Sequence, residues 1–326
     1  MITFKSIQIV VFVLALAALF VLGCDDDDDG NNNETNDSDS ATGDSDTGDG
    51  DTGDNDTGET KDTATTDDST DKEYVPQPYV DTVGIGVCDL EASIAFYTDG
   101  MGMKLEGESD GPYYHEVRLS SPGDKGSSLI LMDLDDDSEE CGYYPDKVVF
   151  VVPDVEAARA TVLEKGGSAA AEDILEYEVD RDGETVTARV AMMFDPDRYL
   201  VEMIEAPSAS NKYLSGVGIG VSDLTEAKAF YVDVLGMELD YELQVPNLMD
   251  ESILKSSREM GMEVVLMQYL PVFNKNYSDL PVKLVFSVSD AAQFENLIAE
   301  KDSSLIMDKP NYAKDIYGYL LEIVEE

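Results

Sequence analysis

Apolar and polar positions alternate in short bursts between residues 80 and 326, and the bursts recur. Val83, Ile85 and Val87 fall at period two around Gly84 and Gly86, which predicts a strand with one buried face. An Asp follows each such run, as an Asp-Leu pair at 89–90 and 223–224. In its third copy the next residues place Leu224, Ala227, Phe230 and Tyr231 at helical spacing, so an amphipathic helix is predicted with the aspartate as its N-cap. Asp223 with Glu226, and Asp290 with Gln293, have the spacing of a capping box. Extended runs come next, at Tyr113 to Leu119, Ser128 to Leu134 and Thr185 to Met193. Each repeat therefore reads strand, helix, then about three strands.

The recurrence is a duplication. Asp81 to Met103, DTVGIGVCDLEASIAFYTDGMGM, aligns without a gap on Ser215 to Met237, SGVGIGVSDLTEAKAFYVDVLGM, at an offset of 134 residues. A second pair follows, KVVFVVPD at 147–154 and KLVFSVSD at 283–290. Four similar units result, beginning near residues 80, 146, 214 and 282.

The first 73 residues have a different character. One basic residue, Lys5, precedes a 14-residue apolar run from Ile9 to Leu22, too short to span a membrane comfortably but suited to a signal peptide. The run ends Val21-Leu22-Gly23-Cys24, which resembles the lipobox of bacterial lipoproteins, so residues 1–24 are expected to be a lipoprotein signal peptide with Cys24 acylated. Residues 25–73 hold 20 acidic and 2 basic residues and no aromatic, Leu, Ile or Val. Such a segment cannot bury enough apolar area to offset the entropy of ordering it, and is read as a disordered acidic linker.

Charge and composition remove several classes of function. The chain carries a formal net charge of -49, which disfavours nucleic acid and anionic membrane surfaces as partners. It has 3 Cys, too few for a disulfide-dense scaffold, and one histidine, His115, so no site within one chain can use two imidazoles. Cys88 and Cys141 either pair in an oxidising compartment or stay free and buried.

The strand, Asp-Leu, Phe-Tyr, Gly-Met order, together with Phe194-Asp195-Pro196-Asp197-Arg198-Tyr199-Leu200-Val201-Glu202-Met203, resembles the vicinal oxygen chelate superfamily. That superfamily includes glyoxalase I, extradiol dioxygenases, fosfomycin resistance enzymes and bleomycin resistance proteins. The resemblance covers residues 77–326 and implies an α+β fold in which two βαβββ units form a cup of curved sheet. Four units then imply two glyoxalase-like domains, 77–207 and 210–326, with the pairing of units, in sequence order or swapped, left open.

The family's metal ligands lie early on the first strand and late on the last strand of each unit. Carried over by motif, the early positions are Thr82, Lys147, Gly216 and Lys283. The late ones fall near Leu131 and Leu266, or Asp133 and Gln268 if the alignment slips by about one residue, and on Glu202 and Glu322. A catalytic metal site normally needs about three protein ligands, so neither a metal nor another cofactor is expected. The resemblance instead brings Lys147 to Glu202 and Lys283 to Glu322, pairs that either bind part of a small ligand or only hold the cup together. Thr82, Gly84 and Gly86 share a strand face, where missing side chains leave room for a ligand or for close packing. His115 is a further candidate, without a counterpart in the second half. Lys283 to Glu322 spans 39 positions against 55 for Lys147 to Glu202, so the second cup is expected to have lost a strand, which favours the first as the ligand site.

Three functions fit. The first is a lipid-anchored, extracytoplasmic, metal-free protein that binds an unknown small molecule in its cup, attached to the bacterial cell envelope through Cys24 alone. The second is a divergent lyase or dioxygenase-like enzyme, its metal held by other residues or its chemistry run by Lys147, Glu202 or His115. The third is a non-catalytic surface protein that meets a cationic partner through its acidic exterior. Homodimer formation is left open.

Overall fold

The computed structural model describes residues 76–122, 127–134, 146–181, 184–245, 249–256, 261–269 and 282–326. The signal peptide, the acidic linker, Cys24 and Cys141 lie outside the described residues.

All four units form. The first is β1 (Tyr79–Val87), α1 (Leu90–Ala95), β2 (Lys104–Asp110), β3 (His115–Ser120) and β4 (Ser128–Asp133). The second is β5 (Lys147–Val152), α2 (Val155–Glu164), β6 (Ser168–Ala169), β7 (Leu175–Arg181), β8 (Glu184–Phe194) and β9 (Leu200–Glu205). The third is β10 (Tyr213–Gly220), α3 (Leu224–Lys228), β11 (Glu238–Val245), β12 (Met249–Lys255) and β13 (Glu263–Tyr269). The fourth is β14 (Val282–Val288), α4 (Ala291–Lys301), β15 (Tyr312–Lys314) and β16 (Leu320–Glu325).

The repeated Asp does what its spacing predicts. Asp89, Asp154, Asp223 and Asp290 each accept from exposed backbone N–H groups in the first helical turn, at 2.8–3.1 Å. Helices α1 and α3 then widen into π-helical turns, Phe96–Gly100 and Ala229–Val234, and bury the neighbouring aromatics Phe96 with Tyr97 and Phe230 with Tyr231. The Gly-Met ending also has a cause: Gly102 and Gly236 sit at φ 78° and 80°, the left-handed conformation that ends a helix and that side chains resist.

The sheets do not follow the division at 77–207 and 210–326. One sheet runs β15-β16-β14-β1-β4-β3-β2, joining the fourth unit to the first through antiparallel β1 and β14. The other runs β11-β12-β13-β10-β5-β9-β8-β6, with β7 on β8, joining the third unit to the second through β5 and β10. The chain's two halves thus exchange partners within one molecule, and one hydrophobic core on the helix-bearing faces takes residues from all four units. The opposite faces of the two sheets are the cups, called here the outer cup (units one and four) and the inner cup (units two and three).

Candidate functional site: two lysine-centred cups

Strand alternation sends Leu131 and Leu266 into the shared core, so their neighbours Ile130, Met132, Val265 and Met267 line the cups instead. Gln268 also points away, its Oε1 accepting from the Leu224 N–H at the start of α3. Slipping the alignment therefore adds no ligand there. The first strands of units two and four deliver lysines. In the inner cup Lys147 Nζ donates to Glu251 Oε1 at 2.9 Å and lies 3.1 Å from Glu202 Oε2. In the outer cup Lys283 Nζ lies 2.8 and 2.9 Å from the two oxygens of Glu116 and 2.8 Å from Glu322 Oε2. The two Lys–Glu contacts implied by the resemblance are formed, and each lysine also holds a carboxylate from a different unit.

Glu116 and Glu251 are the residues that sequence reasoning missed. They occupy equivalent positions, opposite Met132 and Met267 in their hairpins. The signal was present in the duplication, as Glu-Val-Arg-Leu at 116–119 against Glu-Ser-Ile-Leu at 251–254, but lay beyond its gap-free part.

The cups differ in access. Lys147, Glu202 and Glu251 are 2%, 1% and 3% exposed, under an apolar cluster that includes Val149, Met192, Ile204, Ile253 and Met267. Burial pushes Glu202 up to about 7 against the pull of Lys147, and pushes the neighbouring Glu263 up to about 8. Burial alone would lower the Lys147 ammonium, but Glu202 and Glu251 outweigh it and leave it raised. The outer cup reaches solvent: Lys283 is covered, while Glu116 is 11% and Glu322 24% exposed. The shortened fourth unit explains the difference, because β15 has three residues where the second unit has the β7 and β8 hairpin. A lost strand opens the cup that the sequence argument set aside.

The remaining candidates divide. Thr82 lies in the outer cup, fully buried, accepting from Arg118 Nη2 at 2.9 Å and donating to Asp81 at 2.8 Å. His115 does not reach a cup, because on β3 it alternates with Glu116 and faces the other way. Its Nδ1 lies 3.0 Å from Asp110 at a half-exposed rim, and that contact raises its pKa. Cys88 is disulfide-bonded. Asp154, Glu156 and Glu205 also cluster, but Arg189 already pairs with Glu156 and Glu205.

The cup glycines serve the lysines. A Cβ on Gly218 would lie 2.5 Å from Lys147 Cγ and 2.9 Å from Met267 Cε, whereas one on Gly84 would lie 3.0 Å from Lys283 Cβ. Gly218→Ala is accordingly expected to destabilise the protein by ~1–3 kcal/mol through overpacking. Gly84→Ala should cost less, as compared by urea denaturation.

The family's metal does not fit here. The donors converging in each cup are carboxylates, and the space between them holds a lysine ammonium that repels a divalent cation and takes up the lone pairs it would need.

Fold and cups together define a glyoxalase-like fold of four repeated units, three of them with at least the βαβββ strands and the fourth one strand short. Residues 79–203 match the model of the Glyoxalase/Bleomycin resistance protein/Dioxygenase superfamily. Glyoxalase I from Zea mays is 21% identical, with 77% of this chain and 93% of that chain covered at a TM-score of 0.58. A mutant of the same maize enzyme is also 21% identical over the same shares, at a TM-score of 0.60. A putative dioxygenase from Bacillus subtilis is 13% identical, covering 76% of this chain and 84% of that one at a TM-score of 0.49. No curated protein matches the sequence.

Proposed function

We propose that this protein is a metal-free small-molecule binder, held outside the cytoplasm by a lipid on Cys24, with the outer cup as its ligand site. The observation that carries the reading is the Lys283 ammonium seated between Glu116 and Glu322, in a cup that opens to solvent. An ion pair in that position neutralises the carboxylates without metal and leaves a polar floor beside apolar walls, the usual composition of a binding cleft. The disulfide at Cys88 supports an oxidising compartment.

Two measurements test this. The full chain is incubated with Fe²⁺, Zn²⁺, Ni²⁺ and Mn²⁺, desalted and analysed for metal, and no stoichiometric ion is expected. About one ion per chain that is lost in Glu322→Ala overturns the metal-free reading and directs the search to lyase and dioxygenase assays. Native mass spectrometry after exposure to a panel of small amphipathic molecules should find at least one retained by the wild type, and retention of none overturns the binding reading.

A further inference from the structure

We infer that Arg118 makes the outer cup a site for the carboxylate of a small amphipathic ligand. In a chain with 70 acidic against 21 basic residues, a guanidinium ordinarily finds an acid. Arg189 pairs with Glu156, Glu176 and Glu205. Arg118 is exposed and pairs with none among the described residues. Its Nη2 is committed to two hydroxyls instead, donating to Thr82 Oγ1 at 2.9 Å and Ser128 Oγ at 3.3 Å, while Nε and Nη1 make no hydrogen bond among the described residues.

These anchors aim the group. Glu116 and Arg118 are two residues apart on β3 and so lie on its cup face, Glu116 reaching Lys283 and Arg118 reaching across β4 to Thr82 on β1. Thr82 is fully buried and its hydroxyl proton goes to Asp81, which turns a lone pair toward the guanidinium. The long arginine side chain is thereby held in one geometry before any ligand arrives, so less entropy is lost on binding.

The surroundings supply the rest of the ligand. Ile130 and Val285, the strand neighbours of Arg118 and Thr82, form an apolar cluster with Met132 and Tyr114. The Lys283 ammonium is already saturated by Glu116 and Glu322, which leaves Arg118 as the cup's cation without an acidic partner among the described residues. A single negative charge with an apolar body matches this arrangement, whereas a polyanion would meet the repulsion of Glu116, Glu322 and a chain of net charge -49. The duplicate position in the inner cup is Ile253, and Gly216 replaces Thr82, so the feature belongs to the open cup alone.

The inference rests on the reading of the outer cup as a binding site, and three probes of equal length separate the two: hexanoate, hexanol and hexylamine, titrated calorimetrically into the full chain. Hexanoate is expected to bind roughly tenfold more tightly than hexanol, the effect of one charge-assisted hydrogen bond. That advantage should vanish in Arg118→Gln and persist in Arg159→Gln, which removes a half-buried arginine, remote from the cup, bonded to the Glu172 carbonyl. Equal binding of all three probes, tighter binding of hexylamine, or an unchanged Arg118→Gln overturns the carboxylate assignment while the cup remains a binding site. Displacement of hexanoate by inorganic phosphate at comparable concentration also overturns it, in favour of a phosphate. Binding of no probe overturns the assignment together with the reading it rests on.

Discussion

Lys147→Met is expected to lower stability by ~3–5 kcal/mol at pH 8 and by much less at pH 5, because it leaves buried carboxylates without their counter-charge. Glu202 and Glu251 both touch the ammonium, and Glu263 interacts with it electrostatically. Burial already holds Glu202 up to about 7 and Glu263 up to about 8 with the lysine present. An acid whose folded value lies above its unfolded one gives its full stabilisation below the ordinary carboxylate range near pH 4 and loses it as pH rises through the folded value. For these two glutamates the loss runs from about pH 4 to pH 8. Removing Lys147 raises the folded values further and steepens the fall, so the variant should approach the wild type in acid. Urea denaturation of both proteins at pH 5 and pH 8 measures this, and an equal deficit at the two values would show that the lysine acts through packing alone. Lys283→Met should be milder at either pH, since Glu116 and Glu322 can hydrate.

Much of this arrangement was legible in the sequence, and the gaps have physical causes. The recurrent Asp after each first strand located four helix starts because a cap is a local interaction, settled within three residues of chain. Lysine at both early positions of units two and four pointed to the cup centres, since KVVFVVPD and KLVFSVSD can be aligned by eye. Partner choice between units was not legible. The strands that meet, β1 with β14 and β5 with β10, are similar apolar runs in every unit, and nothing local distinguishes one antiparallel neighbour from another. Glu116 and Glu251 were missed because their partners come from other units, 167 and 104 positions away. His115 drew attention by being alone, yet a one-residue step along β3 decides which face a side chain takes, and Glu116 takes the cup. The choice of the first cup as the ligand site rested on the strand missing from the second, and length alone does not tell how burial divides: the intact unit seals its cup, while the shortened one leaves its carboxylates partly exposed.

Asp195→Ala is expected to cost ~2–5 kcal/mol at pH 7, and Asp315→Ala a similar amount, because each leaves a buried tyrosine hydroxyl and backbone N–H groups without partners. Asp195 accepts from Tyr97 Oη at 2.7 Å and from the Tyr199 N–H at 2.8 Å, tying the π-helical turn of unit one to the strand connection of unit two. Asp315 accepts from Tyr231 Oη at 2.8 Å and from the N–H groups of Tyr317 and Tyr319 at 2.8 and 2.9 Å, tying unit three to unit four. These ties act across the sheets' division: the sheets join units one with four and two with three, and the Tyr–Asp bonds join one with two and three with four. Burial pushes Asp195 up to about 7 and Asp315 up to about 6, against the hydrogen bonds that favour the charged form. The folded state therefore holds these protons more tightly than the unfolded chain, and the aspartates' stabilising contribution declines as pH rises from about 4 through those values. Asparagine keeps the shape and an acceptor oxygen but never ionises. Asp195→Asn should thus be far milder than Asp195→Ala, and its deficit relative to the wild type should shrink between pH 5 and pH 8, as read by urea denaturation at both values. A deficit that instead grows with pH would mean that the ionised carboxylate is the stabilising form, with the tyrosine and backbone donors outweighing the burial of its charge.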